Sequence, residues 1–368
     1  MNERPSQLLY PAVAMTLAAF VLIVYEGGPA VMGSSLSLGA AGLALAGLIS
    51  IWRPMWQPLL TGVASHAAAA LLILQLPQVS GRAELGYWVL VVAAWLTAWA
   101  FVQSLAALRV GGGLARRVLN VAIPVLFGIW VLILWEILVR GFAVPQVLLP
   151  SPSLIWAKIA SSLPTLRADF RQTFLKAVLI GYATGCLSGF GAAILADRVP
   201  FLRRGLLPIG NLMSALPIIG IAPIMVMWFG FDWHSKAAVV VVMTFFPMLV
   251  NTVAGLAATE AIDRDLMRTY AAGYWQTLVK LRLPAALPFV FNALKINSTL
   301  ALIGAIVAEF FGTPIVGMGF RISTEVGRMG IDMVWAEIAM AALAGSLFYG
   351  VISVVERAAT FWHPSFRT

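Results

Sequence analysis

Apolar stretches separated by short polar connections run along the whole chain. Each is close to the roughly 20 residues that an α-helix needs to cross a bilayer. The pattern predicts ten membrane-spanning helices, at about 7–25, 36–52, 57–76, 87–108, 118–139, 173–196, 207–229, 237–257, 288–311 and 335–355. The fold class that follows is an all-α polytopic membrane protein.

Composition agrees with this pattern and excludes other classes. Apolar residues make up 61% of the chain and charged residues only 11%. This is more apolar than the composition of a soluble globular protein, so that class is excluded. The net charge of +9 would suggest nucleic acid in a soluble chain, but here the basic residues concentrate between the spans. The single cysteine, Cys186, lies inside an apolar stretch and predicts a buried, inert thiol.

The distribution of lysine and arginine predicts the orientation. Every second connection between spans carries basic residues, among them Arg53, Arg116, Arg203 and Arg268. Basic residues are enriched in connections on the cytoplasmic side of a membrane, so these connections are expected there. Both termini and the 263–287 loop are therefore expected in the cytoplasm. Of the short connections on the other side, one carries Arg82 and another Lys236.

A glycine-rich segment, GGGLARR, predicts a boundary between two modules. It divides the chain into a four-helix N-terminal membrane extension at 1–110, a cytoplasmic linker at 111–117, and a second module at 118–368. The second module contains a long polar loop at 258–287.

That loop is the most informative segment, because it combines charge, small residues and proline between two spans. Asp263 is expected to cap a short helix with Asp265 in its first turn, and Pro284 to end a second short helix. Between them lies a patch of small residues flanked by aromatic side chains, which allows close approach of another protein. The patch is Ala271, Ala272 and Gly273, and the aromatic residues are Tyr270, Tyr274 and Trp275. An ordinary solvated loop is the alternative interpretation.

Motifs for catalysis are missing from the sequence. It has neither a G-x-x-x-x-G-K-[ST] phosphate loop nor an H-E-x-x-H zinc motif, and its histidines, His66, His234 and His363, are scattered. We therefore expect no catalytic residue, no metal site and no cofactor bound by this chain. A gradient-driven secondary transporter and a structural or regulatory membrane module remain open alternatives.

Few ionisable residues fall within the predicted spans. Glu136, Lys176, Lys295 and Glu309 lie toward span ends, where they can reach the interface or serve a function. His66, among alanines, is expected to make a structural hydrogen bond between helices.

Two spans carry the candidates for a solute path. Segment 206–230 contains three prolines, which kink a helix. Such kinks are tolerated in a membrane where the helix faces protein or a watery cavity. In a later span, the helical spacing of residues 292, 295 and 299 places polar side chains on one face. A packed helix is the alternative in each case. The path candidates are Met213, Pro217, Pro223, Met225, Asn297 and Glu309.

The 263–287 loop resembles the coupling loop of binding-protein-dependent ABC importer permeases, whose pattern is E-A-A, three residues, G, nine residues, I-x-L-P. Here Asp265, Leu266 and Met267 occupy the E-A-A positions, Ala271 the glycine position, and 281–284 the closing I-x-L-P. Further segments are similar to the nitrate, sulfonate and taurine branch of that family: LLPSPSLIWA at 148–157, ALPIIGIAPIMVMWFG at 215–230, LPAALP at 283–288 and ALIGAIVAEFFG at 301–312. The resemblance covers about 118–368.

This resemblance implies a type I ABC importer transmembrane domain of six helices, preceded here by four extra ones, in a bacterial inner membrane. It implies a homodimer of permease subunits, two separate ATPase subunits that bind ATP and Mg²⁺, and an extracytoplasmic solute-binding protein. The ATPase contact would comprise Asp265, Arg268, Tyr270, Ala271, Ala272, Gly273 and Trp275, with Pro284 setting the turn into the next span. The loop also looks like members that carry pyrimidine precursors of thiamine or riboflavin, so the solute is expected to be of that kind or a sulfonate- or nitrate-like anion.

Overall fold

The computed structural model describes residues 7–26, 30–108, 111–214, 217–312 and 315–362. All regular secondary structure in those ranges is helical, as predicted. The α-helices are α1 (Leu9–Glu26), α2 (Ala30–Trp52), α3 (Gln57–Val79), α4 (Leu85–Ala107), α5 (Gly113–Gly141), α6 (Pro152–Ser161), α7 (Leu163–Phe170), α8 (Leu179–Arg198), α9 (Pro200–Ser214), α10 (Ile218–Phe229), α11 (Trp233–Ala257), α12 (Ala261–Thr269), α13 (Tyr274–Thr277), α14 (Leu283–Glu309), α15 (Met318–Gly327) and α16 (Ile331–Ala359). A 3₁₀ turn covers Pro54–Trp56, and π-helical segments cover Arg171–Val178 and Leu278–Arg282.

Membrane-spanning helices dominate the fold. Eight helical segments of the described residues are long and apolar enough to cross a bilayer, and α1 and α10 are apolar but shorter. The prediction of an all-α polytopic membrane protein is confirmed.

The span predicted at 207–229 is not one continuous helix. It is divided between α9, which ends at Ser214, and α10, which begins at Ile218. Pro217 is the N-cap of α10 and has an extended backbone (φ −68°, ψ 121°). Proline has no N–H to donate within a helix, so a new helix begins after Pro217 instead of a kinked one continuing through it. The first two residues of the 215–230 motif lie outside the described ranges.

The chain forms two compact units, residues 1–155 and 156–368. In the first unit α3 and α4 pack together with α5 around a core that includes Leu72, Leu90 and Trp130. His66 donates from Nδ1 to the carbonyl of Gly62 (2.7 Å), one turn earlier in its own helix. Its contacts to other helices are edge-on ring contacts with Phe101 and Trp130, so the expected hydrogen bond between helices is wrong.

The division into units falls at a different place from the boundary predicted at 111–117. The helix α5 begins inside that segment, at Gly113, and packs in the first unit through Trp130 and Ile137. The module boundaries of the sequence analysis stay a prediction.

The second unit is built on three helices, α8, α11 and α14. Glycines at 181, 185 and 189 form one face of α8, and side chains there would collide with α11: a Cβ on Gly185 would lie 2.0 Å from Thr244 Oγ1 and 2.9 Å from the carbonyl oxygen of Val241. Small residues at this spacing let two backbones approach closely, which is how membrane helices pack when lipid removes the hydrophobic driving force. Cys186, 4% exposed, lies in this interface, so its predicted burial is confirmed.

Candidate functional site

The helix α12, within the predicted coupling loop, has no buried residue. Ile262 and Leu266 lie one turn apart and are 72% and 56% exposed, and Tyr270, just beyond the helix, is 78% exposed. A nine-residue helix is marginal in water unless its apolar side packs on something. The exposed side of α12 therefore has the character of a docking surface.

A tight turn ends α12 and involves the small residues singled out above. Ala271 has a left-handed backbone (φ 53°). Its N–H donates to the carbonyl of Arg268 (2.9 Å), and the N–H of Ala272 donates to that of Met267 (3.0 Å). These two bonds are those of a Schellman motif, whose left-handed residue is usually glycine. The geometry explains why the coupling-loop pattern has glycine at the position of Ala271.

The two acidic residues of α12 are placed one step differently from the prediction. The helix begins at Ala261, with Glu260 as its N-cap, so Asp263 is in the first turn and does not cap it. Asp265 is in the second turn, where it pairs with Arg268 (3.1 Å). Both side chains are largely exposed, so this pair contributes little to stability and is available to a partner.

A second short helix follows at once. Gly273 is the N-cap of α13, and its N–H donates to Oε1 of Gln276 (3.1 Å). A Cβ at Gly273 would meet nothing within 4 Å, and the neighbouring Trp275 is 65% exposed. The small residues and the aromatic side chain thus form one accessible surface with α12, which we name the docking segment (residues 261–275).

A buried ion pair fixes the base of the docking segment. Arg282 donates from two guanidinium nitrogens to the carboxylate of Asp197, at the end of α8, with both bonds 2.7 Å long. It also donates to the carbonyl of Leu256 at the end of α11 (2.9 Å), and the hydroxyl of Tyr274 donates to Asp197 (3.0 Å). The side chains of Asp197 and Arg282 are 6% and 15% exposed. We call this pair the clamp. Sequence reasoning missed it because its partners are 85 residues apart.

Pro284 does not end a helix. It lies in the first turn of α14, which continues without a break from the π-helical segment Leu278–Arg282. At the end of that segment the N–H of Leu283 donates to the carbonyl of Leu278, five residues earlier. Because proline lacks an N–H and its ring crowds the carbonyl four residues before it, the wider π register absorbs the conflict. The prediction that Pro284 terminates a helix is wrong.

The path candidates are spread over two different environments. Pro217 and Met213 flank the break between α9 and α10, while Pro223 is inside α10. Met225 is partly buried against Ala222 and Val239. The broken helix provides irregular backbone, which membranes tolerate only against protein or water.

Asn297 and Glu309 are enclosed by packing. Asn297 is fully buried and donates from Nδ2 to the carbonyl of Thr244 (2.8 Å) and to the sulfur of Cys186 (3.3 Å), joining α14 to α11 and α8. Glu309 is 2% exposed and accepts from Thr173 and from the N–H of Gly319, both at 2.7 Å. In this conformation both side chains have structural contacts, and their place on a path stays a prediction.

The polar face predicted for α14 is divided. Asn292 and Thr299 are exposed in line with Ile296 and Ile303, at helical spacing, whereas Lys295 is neutralised by Glu356 of α16 (2.8 Å). Lys295 thus has a partner on α16, and its placement at the membrane interface stays a prediction.

Two other charged residues have partners that the sequence did not reveal. Glu136 accepts from Arg140 (3.0 Å) and from the backbone and hydroxyl of Ser153 in the LLPSPSLIWA segment. Lys236, expected in a loop, is in the first turn of α11, 1% exposed, and donates to the carbonyls of Phe231 and Gly312.

Comparison with known proteins gives consistent matches. A family model described as "Binding-protein-dependent transport system inner membrane component" matches residues 181–361. The chain is 33% identical over 242 residues to the formylaminopyrimidine transport permease protein ThiX of Halalkalibacterium halodurans, covering 65% of this chain and 95% of that protein. It is 29% identical over 238 residues to the riboflavin transport system permease protein RibX of Chloroflexus aurantiacus (64% and 87%). It is 25% identical over 248 residues to the putative aliphatic sulfonates transport permease protein SsuC of Bacillus subtilis (64% and 86%).

Proposed function

Because the chain belongs to the family of binding-protein-dependent inner-membrane transport components, the permeases of ABC importers, within the nitrate, sulfonate and taurine branch, we propose that its docking segment couples a solute path to a separate ATPase. The protein is a multi-pass inner-membrane permease. In the proposed complex, ATP and Mg²⁺ bind to the ATPase subunits and none binds to this chain. The docking segment and both termini are on the cytoplasmic side, and a binding protein delivers solute from the other side.

The observation that carries this proposal is the contrast between the docking segment and its base. The apolar side of α12 is exposed and has no partner within the described residues, whereas the clamp ties the following helix to the ends of α8 and α11. A partner that moves α12 therefore moves a rigid base, and the continuous helix from Tyr274 to Glu309 carries that displacement into the membrane. ATP binding by the partner then switches the permease between inward-facing and outward-facing states.

A second copy of the chain completes the path in this proposal. The exposed stripe of α14, with Asn292, Ile296, Thr299 and Ile303, is mixed in polarity, which suits a surface facing a partner helix and a wet path more than lipid. The path also uses the break before α10, at Met213 and Pro217.

For the solute, we propose a small nitrogen heterocycle. The relatives named for formylaminopyrimidine and riboflavin share 33% and 29% identity with the chain, against 25% for the relative named for sulfonates. The test is uptake of labelled formylaminopyrimidine, riboflavin and taurine, each with its own binding protein.

The coupling proposal is tested by Ala272→Trp in proteoliposomes that contain the permease, the ATPase and the binding protein. The bulky side chain is placed where the ATPase packs, so we expect solute uptake per ATP hydrolysed to fall at least tenfold while membrane insertion is unchanged. Val199→Trp, at an exposed residue between α8 and α9, is the matched control and should retain uptake. Unchanged uptake in Ala272→Trp shows the docking assignment to be wrong. Uptake without ATPase that an ionophore abolishes supports the gradient-driven alternative.

A further inference from the structure

A buried carboxyl group on α16 has no hydrogen-bond donor. Glu337 is 0% exposed, and neither of its side-chain oxygens has a hydrogen-bond partner among the described residues. An ionised carboxylate without donors is strongly disfavoured away from water. The ionised form of Glu337 is therefore inconsistent with its surroundings.

The neighbouring carboxyl group is that of Asp169, at the end of α7, which packs on α16 through Leu166 against Met333 and Ala336. Asp169 is also 0% exposed. Asp169 accepts from the N–H of Gly317 (2.7 Å) and from Nε of Arg321 (2.9 Å). Both donors favour the anion, and the hydrogen bond to Asp169 in turn raises the pKa of Arg321 above its ordinary value. Both oxygens of Asp169 therefore already accept a hydrogen bond from the protein.

Other charged groups of this unit have partners of their own. Glu309 accepts from Thr173 and Gly319, and Lys236 donates to backbone carbonyls. Arg321 is paired with Asp169, and Glu325 with Arg328 (3.5 Å). On the first turn of α16, Asp332 is paired with Lys158 (3.2 Å). A proton on Glu337 would supply the hydrogen-bond donor that its side-chain oxygens lack among the described residues.

We propose that Glu337 and Asp169 form a buried proton-binding site, in which Glu337 holds the proton and donates it in a hydrogen bond to Asp169. Two carboxyl groups in contact hold one proton, because the ionised pair repels and the doubly protonated pair leaves Arg321 without its counter-ion.

This proton supports the attachment of α15. The first three N–H groups of that helix region, on Gly317, Met318 and Gly319, donate to Asp169, Thr173 and Glu309. Loss of the proton places a second negative charge beside Asp169, which competes for Arg321 and weakens the anchoring of α15. The stability of this part of the protein is therefore linked to proton concentration.

The test is the pH dependence of unfolding of the full-length protein in detergent, for the wild type and Glu337→Gln. In the unfolded chain, glutamate releases its proton above its ordinary pKa of about 4.3, while the folded protein keeps it. The stabilisation is complete at low pH and falls as pH rises. The unfolding constant of the wild type, relative to Glu337→Gln, should rise about tenfold per pH unit above that value, up to the pH at which the folded protein also releases the proton. The amide of glutamine donates the same bond without titrating. Glu325→Gln, in a more exposed pair, is the control and should keep the wild-type slope.

Parallel pH dependences of the wild type and Glu337→Gln overturn the proposal. A second measurement keeps it falsifiable if a variant does not fold: the infrared spectrum of the wild type at neutral pH should contain the carbonyl band of a neutral carboxylic acid, and Asp169→Asn or Glu337→Gln should change it. Absence of that band from the wild type also overturns the proposal. Neither readout depends on transport, so the result is independent of the coupling function proposed above.

Discussion

The clamp gives the sharpest prediction about how the docking segment is held. Arg282→Ala removes two charge-assisted bonds to Asp197 and the bonds to the carbonyl of Leu256. It leaves the Asp197 carboxylate, 6% exposed, with the hydroxyl of Tyr274 as its remaining side-chain donor among the described residues. Breaking a buried ion pair on one side costs about 3–5 kcal/mol, and the 15% exposure of Arg282 puts this case near 3 kcal/mol.

A set of variants separates the pair from the general loss of packing. Arg282→Lys keeps the charge but not the planar fork, and should cost about 1–2 kcal/mol. Asp197→Ala should cost about 2–3 kcal/mol, since it leaves the guanidinium with only the Leu256 carbonyl. The double variant should cost less than the sum of the two alanine variants, by an interaction energy of about 1.5–3 kcal/mol.

The assay is denaturant unfolding of the purified permease in detergent, followed by the ratio of solute imported to ATP hydrolysed in proteoliposomes. We expect that ratio to fall in Arg282→Ala even at temperatures where the variant stays folded, because movement of α12 no longer reaches α14 through a rigid base. Additive free energies within about 0.5 kcal/mol, together with an unchanged ratio, would refute the reasoning.

Further predictions concern single positions. Ala271→Gly should stabilise the protein by about 0.5–1 kcal/mol in thermal unfolding, because glycine accepts φ 53° without strain although it costs more chain entropy; a loss of stability contradicts the left-handed turn. Gly185→Val should prevent folding through collision with α11, whereas Gly191→Val, on the same helix with open space at its Cβ, should give normal yields by size-exclusion chromatography; equal yields would count against the α8–α11 contact. Asn297→Ala should cost about 1–3 kcal/mol in denaturant unfolding, and altered solute preference in uptake competition would show instead that Asn297 lines the path. Leu266→Asp should abolish copurification of the ATPase without lowering permease stability, and retained copurification would argue against α12 as the docking surface.

Much of the fold follows from the sequence because membrane helices carry a strong local signal. Runs of apolar residues marked the eight long helical segments and the shorter apolar helices α1 and α10. The polar loop before Pro284 marked α12 and α13. The sequence predicted a kink at Pro217, where the structure has the start of a new helix. The two differ only in the backbone conformation of a few residues, which the hydrophobic pattern does not specify. Likewise, the π-helical segment before Pro284 depends on how the proline ring is accommodated, which periodicity does not record.

The partnerships of charged residues could not be predicted for a different reason. Asp197 meets Arg282, Lys295 meets Glu356, and Asp169 meets Arg321, in each case from helices far apart in the chain. From the sequence, the position of a charged residue near the end of a span suggested that its side chain reaches the membrane interface. In the structure, these side chains are buried between helices, where a charge needs a partner of opposite sign. Only a three-dimensional packing of α7, α8, α14, α15 and α16 shows which acid faces which base.

The bare apolar side of α12 has a consequence for biogenesis. A permease synthesised ahead of its ATPase presents Ile262, Leu266 and Tyr270 to the aqueous phase, the kind of greasy surface that chaperones and membrane proteases recognise. The supply of the ATPase would then limit the abundance of the permease, because permease molecules without a bound ATPase would be degraded.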